Sequence, residues 1–163
     1  MAGEGLTHVV FELEQRDGWP PHASERVWAK AMPDGLYRIE NIPFYAPGVS
    51  FGDLVAAEGR EGELVFSKVV KPSGNSTVQV IFFAKDRVQA VRDALRGLGC
   101  DSEVSEIDTM IAVDVPAETR YDEVFELLDG GFRRGELDYS ESALRHDHPL
   151  PPDASKPRSM GLE

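Results

Sequence analysis

The chain reads as an α+β protein with two differently patterned parts. These are an N-terminal small β-barrel-like domain over residues 1–76 and a ferredoxin-like βαββαβ domain over residues 77–144, followed by a disordered tail over 145–163. Three observations lead there. Up to residue 71, apolar residues alternate with polar ones in short runs closed by Gly, Pro and Asp, with no helical period. After the polar break at 72–76 the order becomes strand, helix, strand, strand, helix, strand, which is the split βαβ arrangement. From Arg145 onward His, Pro and Asp replace apolar residues, so little is left to bury.

The elements follow in order. Residues 8–14 form a strand in which Val9, Phe11 and Leu13 alternate against Val10, Glu12 and Glu14. Residues 15–24 are a loop stiffened by Trp19-Pro20-Pro21. Residues 25–32 are a strand with Val27, Ala29 and Ala31 on one face and Trp28 on the other, and Pro33-Asp34-Gly35 turns it into a strand over 36–40. A strand begins at Gly52-Asp53-Leu54, turns at residues 59–62 and returns over 63–71. Five short strands suit a small barrel. In the second half, Val78, Val80 and Phe82 mark a strand, and Asp86 with Gln89 reads as a capping box for a helix whose inner face is Val88, Val91, Leu95 and Leu98. Residues 100–107 and 110–115 are strands. Thr119 caps a second helix with Tyr121, Val124, Leu128 and Phe132 inside, loosened or ended at Gly130-Gly131. Residues 136–142 form the last strand.

Charge bounds the function. Against 17 basic side chains stand 29 acidic ones, a net charge of −12. Such a field repels phosphate backbones and disfavours nucleic acid, and it speeds encounter with a basic partner. The acidity is concentrated in residues 77–144, which carry 7 basic and 15 acidic groups, a net of −8. The single cysteine, Cys100, permits neither an internal disulfide nor a cysteine-built zinc site. The N-terminal residues show no signal-peptide pattern and no stretch has membrane-spanning length, so a cytoplasmic protein without membrane association is expected.

Residues 41–55, Asn-Ile-Pro-Phe-Tyr-Ala-Pro-Gly-Val-Ser-Phe-Gly-Asp-Leu-Val, stand out. A loop this apolar is either packed under something or kept for a partner. Together with Trp19-Pro20, Trp28, Ser73-Gly74-Asn75-Ser76-Thr77 and Leu98-Gly99-Cys100, in that order, it resembles the bacterial family known as domain of unknown function 4265, over roughly residues 7–144. That resemblance implies the fold and no established activity. The piece Val49-Ser50-Phe51-Gly52-Asp53-Leu54-Val55 is also similar to the Gly-Asp box of cradle-loop barrels, which implies an Asp53 side chain accepting backbone N–H bonds across the turn.

The candidate binding residues are Asn41, Phe44, Tyr45, Phe51, Asp53, Ser73, Asn75 and Ser76. The aromatic loop supplies rigid interface anchors or plugs the barrel end. Ser73 to Thr77 forms an anion-binding nest or a polar turn. His146 and His148 lack the third ligand of a metal site, Cys100 reads as a buried thiol with a raised pKa, and the acidic run from Asp101 to Asp108 reads as a solvated edge. Trp19 and Trp28 read as core residues. No catalytic residue, cofactor or metal is assigned. The leading expectation is a non-catalytic module of immunity or regulatory type that binds a basic protein. The competing ones are a small-metabolite sensor, with homodimer formation, or a small enzyme acting in a pocket between the halves. A deep seam cavity with two polar groups of shifted pKa favours the enzyme, and a shallow apolar surface favours binding.

Overall fold

The computed structural model describes residues 5–149. The first half is a closed five-stranded barrel of β1 (Leu6–Glu12), β2 (Ser24–Ala31), β3 (Tyr37–Ile39), β4 (Leu54–Arg60) and β5 (Glu63–Lys71). Neighbours pair antiparallel in chain order, and β1 closes the barrel by pairing parallel to β5, with Val9 opposite Leu64. The period-two pattern builds the interior: Val9, Phe11, Val27, Ala29, Ile39 and Val55 fill it, joined by Ala46 and Val49 from the apolar loop. The loop therefore plugs the barrel with its own side chains.

Trp28 corrects an expectation. It alternates with the inward Val27 and Ala29, so the pleat turns it outward, where it is 43% exposed and stacks on His8 of the neighbouring strand.

The second half has the expected order: β6 (Ser76–Phe82), α1 (Val88–Gly97), β7 (Asp101–Val104), β8 (Met110–Val115), α2 (Tyr121–Arg133) and β9 (Leu137–Ala143). The antiparallel sheet runs β7-β8-β6-β9, as in ferredoxin-like folds. Val78, Val80, Phe82, Ile111, Val113, Leu137 and Tyr139 face the helices and meet Val91, Leu95, Val124 and Leu128. Neither expected helix cap forms. A 3₁₀ turn at Lys85–Arg87 delays α1 to Val88, so Gln89 reaches Asp93 instead, and α2 starts after Arg120 with no side-chain cap. Gly130 and Gly131 do not end α2. A Cβ on Gly131 would lie 2.7 Å from the Leu137 side chain, so the glycine lets helix and strand approach closely. Among the described residues no helix is long and apolar enough to cross a membrane.

The two cores do not merge. The open face of the second sheet carries Thr77, Gln79 and Asp114, set by the pairings Thr77–Asp114 and Gln79–Ala112. All three are buried. A buried polar layer, instead of a shared apolar one, joins the halves.

Candidate functional site

The seam is built by two carboxylates that hold the apolar loop. Glu25 shares the inward face of β2 with Val27 and Ala29 and so points to the barrel mouth. Its carboxylate accepts the backbone N–H groups of Phe44 (2.7 Å), Tyr45 (3.0 Å) and Ala46 (2.9 Å). These donors come from a loop too irregular to pair them with a strand, and a charged acceptor satisfies all three. Asp53, fully buried, closes the other end. It accepts Ser50 N–H and Ser73 N–H, each at 2.9 Å, across the corner at Gly52 (φ +87°). This is the turn geometry that the Gly-Asp resemblance implied.

Arg145 completes the corner. Its guanidinium lies on Asp53 in a two-pronged pair (Nη1–Oδ1 3.0 Å, Nη2–Oδ2 2.8 Å) and also donates to the carbonyls of Asn75 (2.9 Å) and Gly48 (3.3 Å). The tail was expected to begin here, yet Arg145, His146 and His148 contact the body. The remainder of that segment, 150–163, lies outside the described residues. Ser76 Oγ accepts Arg145 N–H at 2.7 Å and lies 2.6 Å from His146 Nδ1, while His146 Nε2 lies 2.9 Å from Pro116 O. A hydroxyl has one proton to give, so the network fits the tautomer with its proton on Nε2. Tyr121 stacks on His146, and His148 meets Glu141 at 3.0 Å and the ring of Phe125.

The loop is also tied to the second sheet. Ser50 Oγ lies 2.6 Å from Thr77 Oγ1, and Gly48 N–H donates to Ser142 O at 2.8 Å. Asn75 spans the junction: its Nδ2 donates to Asp114 (3.1 Å) and its Oδ1 accepts Ala117 N–H (3.0 Å). The nest expected at Ser73 to Thr77 is thus occupied in part by the protein's own Asp53 carboxylate, with Ser73 Oγ bonded to Phe51 O.

Of the candidate residues, Phe51, Asp53, Ser73, Asn75 and Ser76 meet in this one junction. Asn41 stands apart from that network. Its Oδ1 accepts Trp28 N–H at 2.8 Å, and it shares a cleft of about 410 Å³ with Phe51. Phe44 and Tyr45 border a different cleft, closed by His22 and Glu106 at 2.9 Å. Sequence reading missed Glu25, Arg145, Asp114 and Gln79. Gln79 had a local signal: a polar residue flanked by Val78 and Val80.

The 410 Å³ cleft sets an exposed ring among charged groups of both signs. Phe51, 37% exposed, sits with Glu40, Asp101, Glu103 and Asp114. Arg92 and Arg96 border it too, but Arg92 is held by Ser102 Oγ (2.9 Å) and Ser102 O (3.0 Å). Burial pushes the Asp114 carboxyl up to about 6, against the lowering bond from Asn75 and with help from Asp101, Glu118 and Asp53. A raised carboxyl pKa stabilises the native state below about pH 4, and that stability is lost as pH rises through about 6. Asp114→Asn is therefore expected to stabilise the protein at pH 7–8 by about 1–3 kcal/mol and to flatten the dependence between pH 4 and 7. Urea unfolding across that range measures it, and an unchanged slope contradicts the assignment. Burial likewise pushes the Cys100 thiol up to about 12, with Asp114 and Asp101 adding to it, so it is an inert core group.

Fold and seam together define a class: a five-stranded barrel fused to a ferredoxin-like sheet through a buried polar layer, with clefts along the join. The chain belongs to the family described as domain of unknown function (DUF4265), whose model matches residues 25–139. Trp19-Pro20 lies outside the matched span. A solved structure, "Novel crystal structure of a hypothetical protein from Neisseria gonorrhoeae", is similar over 86% of this chain and 96% of that one, with 22% identity and a TM-score of 0.74. That likeness speaks to the fold. No curated protein matches the sequence.

Proposed function

We propose that the protein is a non-catalytic binding module, of regulatory or immunity type, that docks a basic protein partner at the Phe51 cleft. One observation carries this: an exposed aromatic ring of the barrel half faces Asp101, Glu103 and Asp114 of the half that holds most of the negative charge, in a cleft that Arg92 and Arg96 also line and whose Glu40 is paired with Arg38. A lysine or arginine side chain entering there meets both the ring face and the carboxylates. The enzyme reading asks for two shifted polar groups in one cavity. Asp114 and Tyr45, both raised by burial, line different clefts, which favours binding over catalysis.

The test is affinity capture with the wild type beside Phe51→Ala and Asp101→Asn/Glu103→Gln. A basic partner held by the wild type, released by salt and lost from both variants is expected. A partner set unchanged by both variants would sink the proposal. A second copy of the chain, paired along the exposed edge of β7, competes for the same face and would show as concentration-dependent mass in light scattering.

A further inference from the structure

A second cleft, about 320 Å³, opens where the barrel meets the other side of the seam. Its walls are the Trp19–Pro20 turn and the Tyr45–Pro47 stretch of the loop, and its floor is Gln79, Ser140 and Ser142. Each part has a structural cause. Asp17 and Gly18 (φ +52° and +79°) make a two-residue hairpin, bonded both ways between Arg16 and Trp19 at 2.7 and 2.9 Å, which sets the indole beside the cleft. Trp19 and Tyr45 meet edge to face at 5.8 Å. Gln79 and Ser140 are cross-strand partners on β6 and β9, so the amide and the hydroxyl lie side by side.

Ser142 is tied into the seam, donating Oγ–H to Thr77 O at 3.2 Å, but the fold gives the Gln79 amide donor no partner. Gln79 is 4% exposed and its Nε2 makes no hydrogen bond. A buried amide donor left unpaired costs stability, a cost that a leucine or methionine would avoid. Such violations collect where a ligand supplies the missing partner. A primary amide presents a donor and an acceptor side by side, and matches an edge carrying the complementary pair. Aromatic and proline walls suit a flat ring standing on that edge. The volume is at the small end of ligand sites. The rim is not a phosphate site: Arg16 is paired with Glu14 at 2.9 Å and the whole chain is strongly acidic.

We infer that this slot binds a free nucleobase or nucleoside, with Gln79 reading its hydrogen-bonding edge and Trp19 bounding its ring. The site is separate from the Phe51 cleft and stands whether or not a basic partner docks there.

The experiment is saturation-transfer NMR with adenine, guanine, hypoxanthine, uracil and cytosine, followed by calorimetric titration of the best base, its nucleoside and its 5′-monophosphate. One or more bases are expected to bind saturably, with the monophosphate weaker than the nucleoside. Gln79→Leu is expected to weaken binding about tenfold or more while its thermal midpoint stays level or rises. That pairing of lost binding with undiminished stability separates a ligand-reading role from a packing role. Trp19→Ala, folded by circular dichroism, is expected to lose binding as well. No saturable response up to about 5 mM, a weaker limit than any useful affinity, overturns the inference. So does wild-type affinity in Gln79→Leu, or saturable binding of a proline-rich peptide in place of any base.

Discussion

Arg145→Met is expected to destabilise the protein by about 3–5 kcal/mol, because it leaves the Asp53 carboxyl buried without its counter-charge. The methionine keeps an unbranched stem, shorter than the arginine, and removes five donors. Four of the bonds lost run to Asp53, Asn75 and Gly48, so both ends of the Gly-Asp corner lose a partner at once. Asp53→Asn/Arg145→Met is expected to cost less than the sum of the single changes by about 1–3 kcal/mol, because the charge and its partner leave together. Denaturant unfolding of the four proteins measures both quantities. An Arg145→Met protein within about 0.5 kcal/mol of the wild type would mean that the segment beyond β9 does not hold the seam.

Glu25→Ala is the second large effect. Three backbone N–H groups at Phe44, Tyr45 and Ala46 lose a charged acceptor, and the barrel mouth loses its tie to the loop that plugs it. About 3 kcal/mol is expected, given that bonds to charged groups contribute about 1.5–3 kcal/mol each and water recovers part of the loss. Glu25→Gln keeps one acceptor oxygen and is expected to recover roughly half of that cost. The two variants, compared by thermal unfolding, separate the hydrogen bonds from the carbon stem. Equal losses in both would point to charge instead of bond count.

These two residues mark where sequence reading stops. The barrel strands were legible because Val9, Phe11, Val27 and Ala29 alternate, and alternation is a local property of a pleated chain. The ferredoxin-like order was legible for the same reason, through the helical spacing of Val91, Leu95, Val124 and Leu128. The apolar loop was legible as either packed or held for a partner, and Ile42, Ala46 and Val49 prove to be buried. What holds the loop was not. Glu25 reaches donors 19 to 21 residues on, and Arg145 reaches a carboxylate 92 residues back. Such pairings leave no periodic trace. The polar composition from Arg145 onward pointed to a tail, and composition does not register that one planar guanidinium fits a buried carboxylate. The helix starts failed differently. Asp86 and Gln89 have the right spacing for a cap, but the 3₁₀ turn moves the first helical residue past Asp86. Asp17-Gly18 carries a two-residue hairpin signal inside the stretch that the neighbouring prolines mark as loop. The candidate site was half legible. Phe51, Asp53, Ser73, Asn75 and Ser76 do converge, but largely to bind one another, and the clefts beside them depend on Asp114 and Gln79, whose facing only sheet register decides.

The central claim is that the apolar loop is a fixed part of a buried polar seam joining two cores. Native-state amide exchange at Phe44, Tyr45, Ala46, Gly48, Ser50 and Ser73 tests it most directly. If the seam is built as described, these six amides exchange only with global unfolding, as slowly as the central strand amides of β1 and β6. Exchange near the free-peptide rate at Phe44 to Gly48, with the two sheets still protected, would show a loop that opens on its own and would contradict the account.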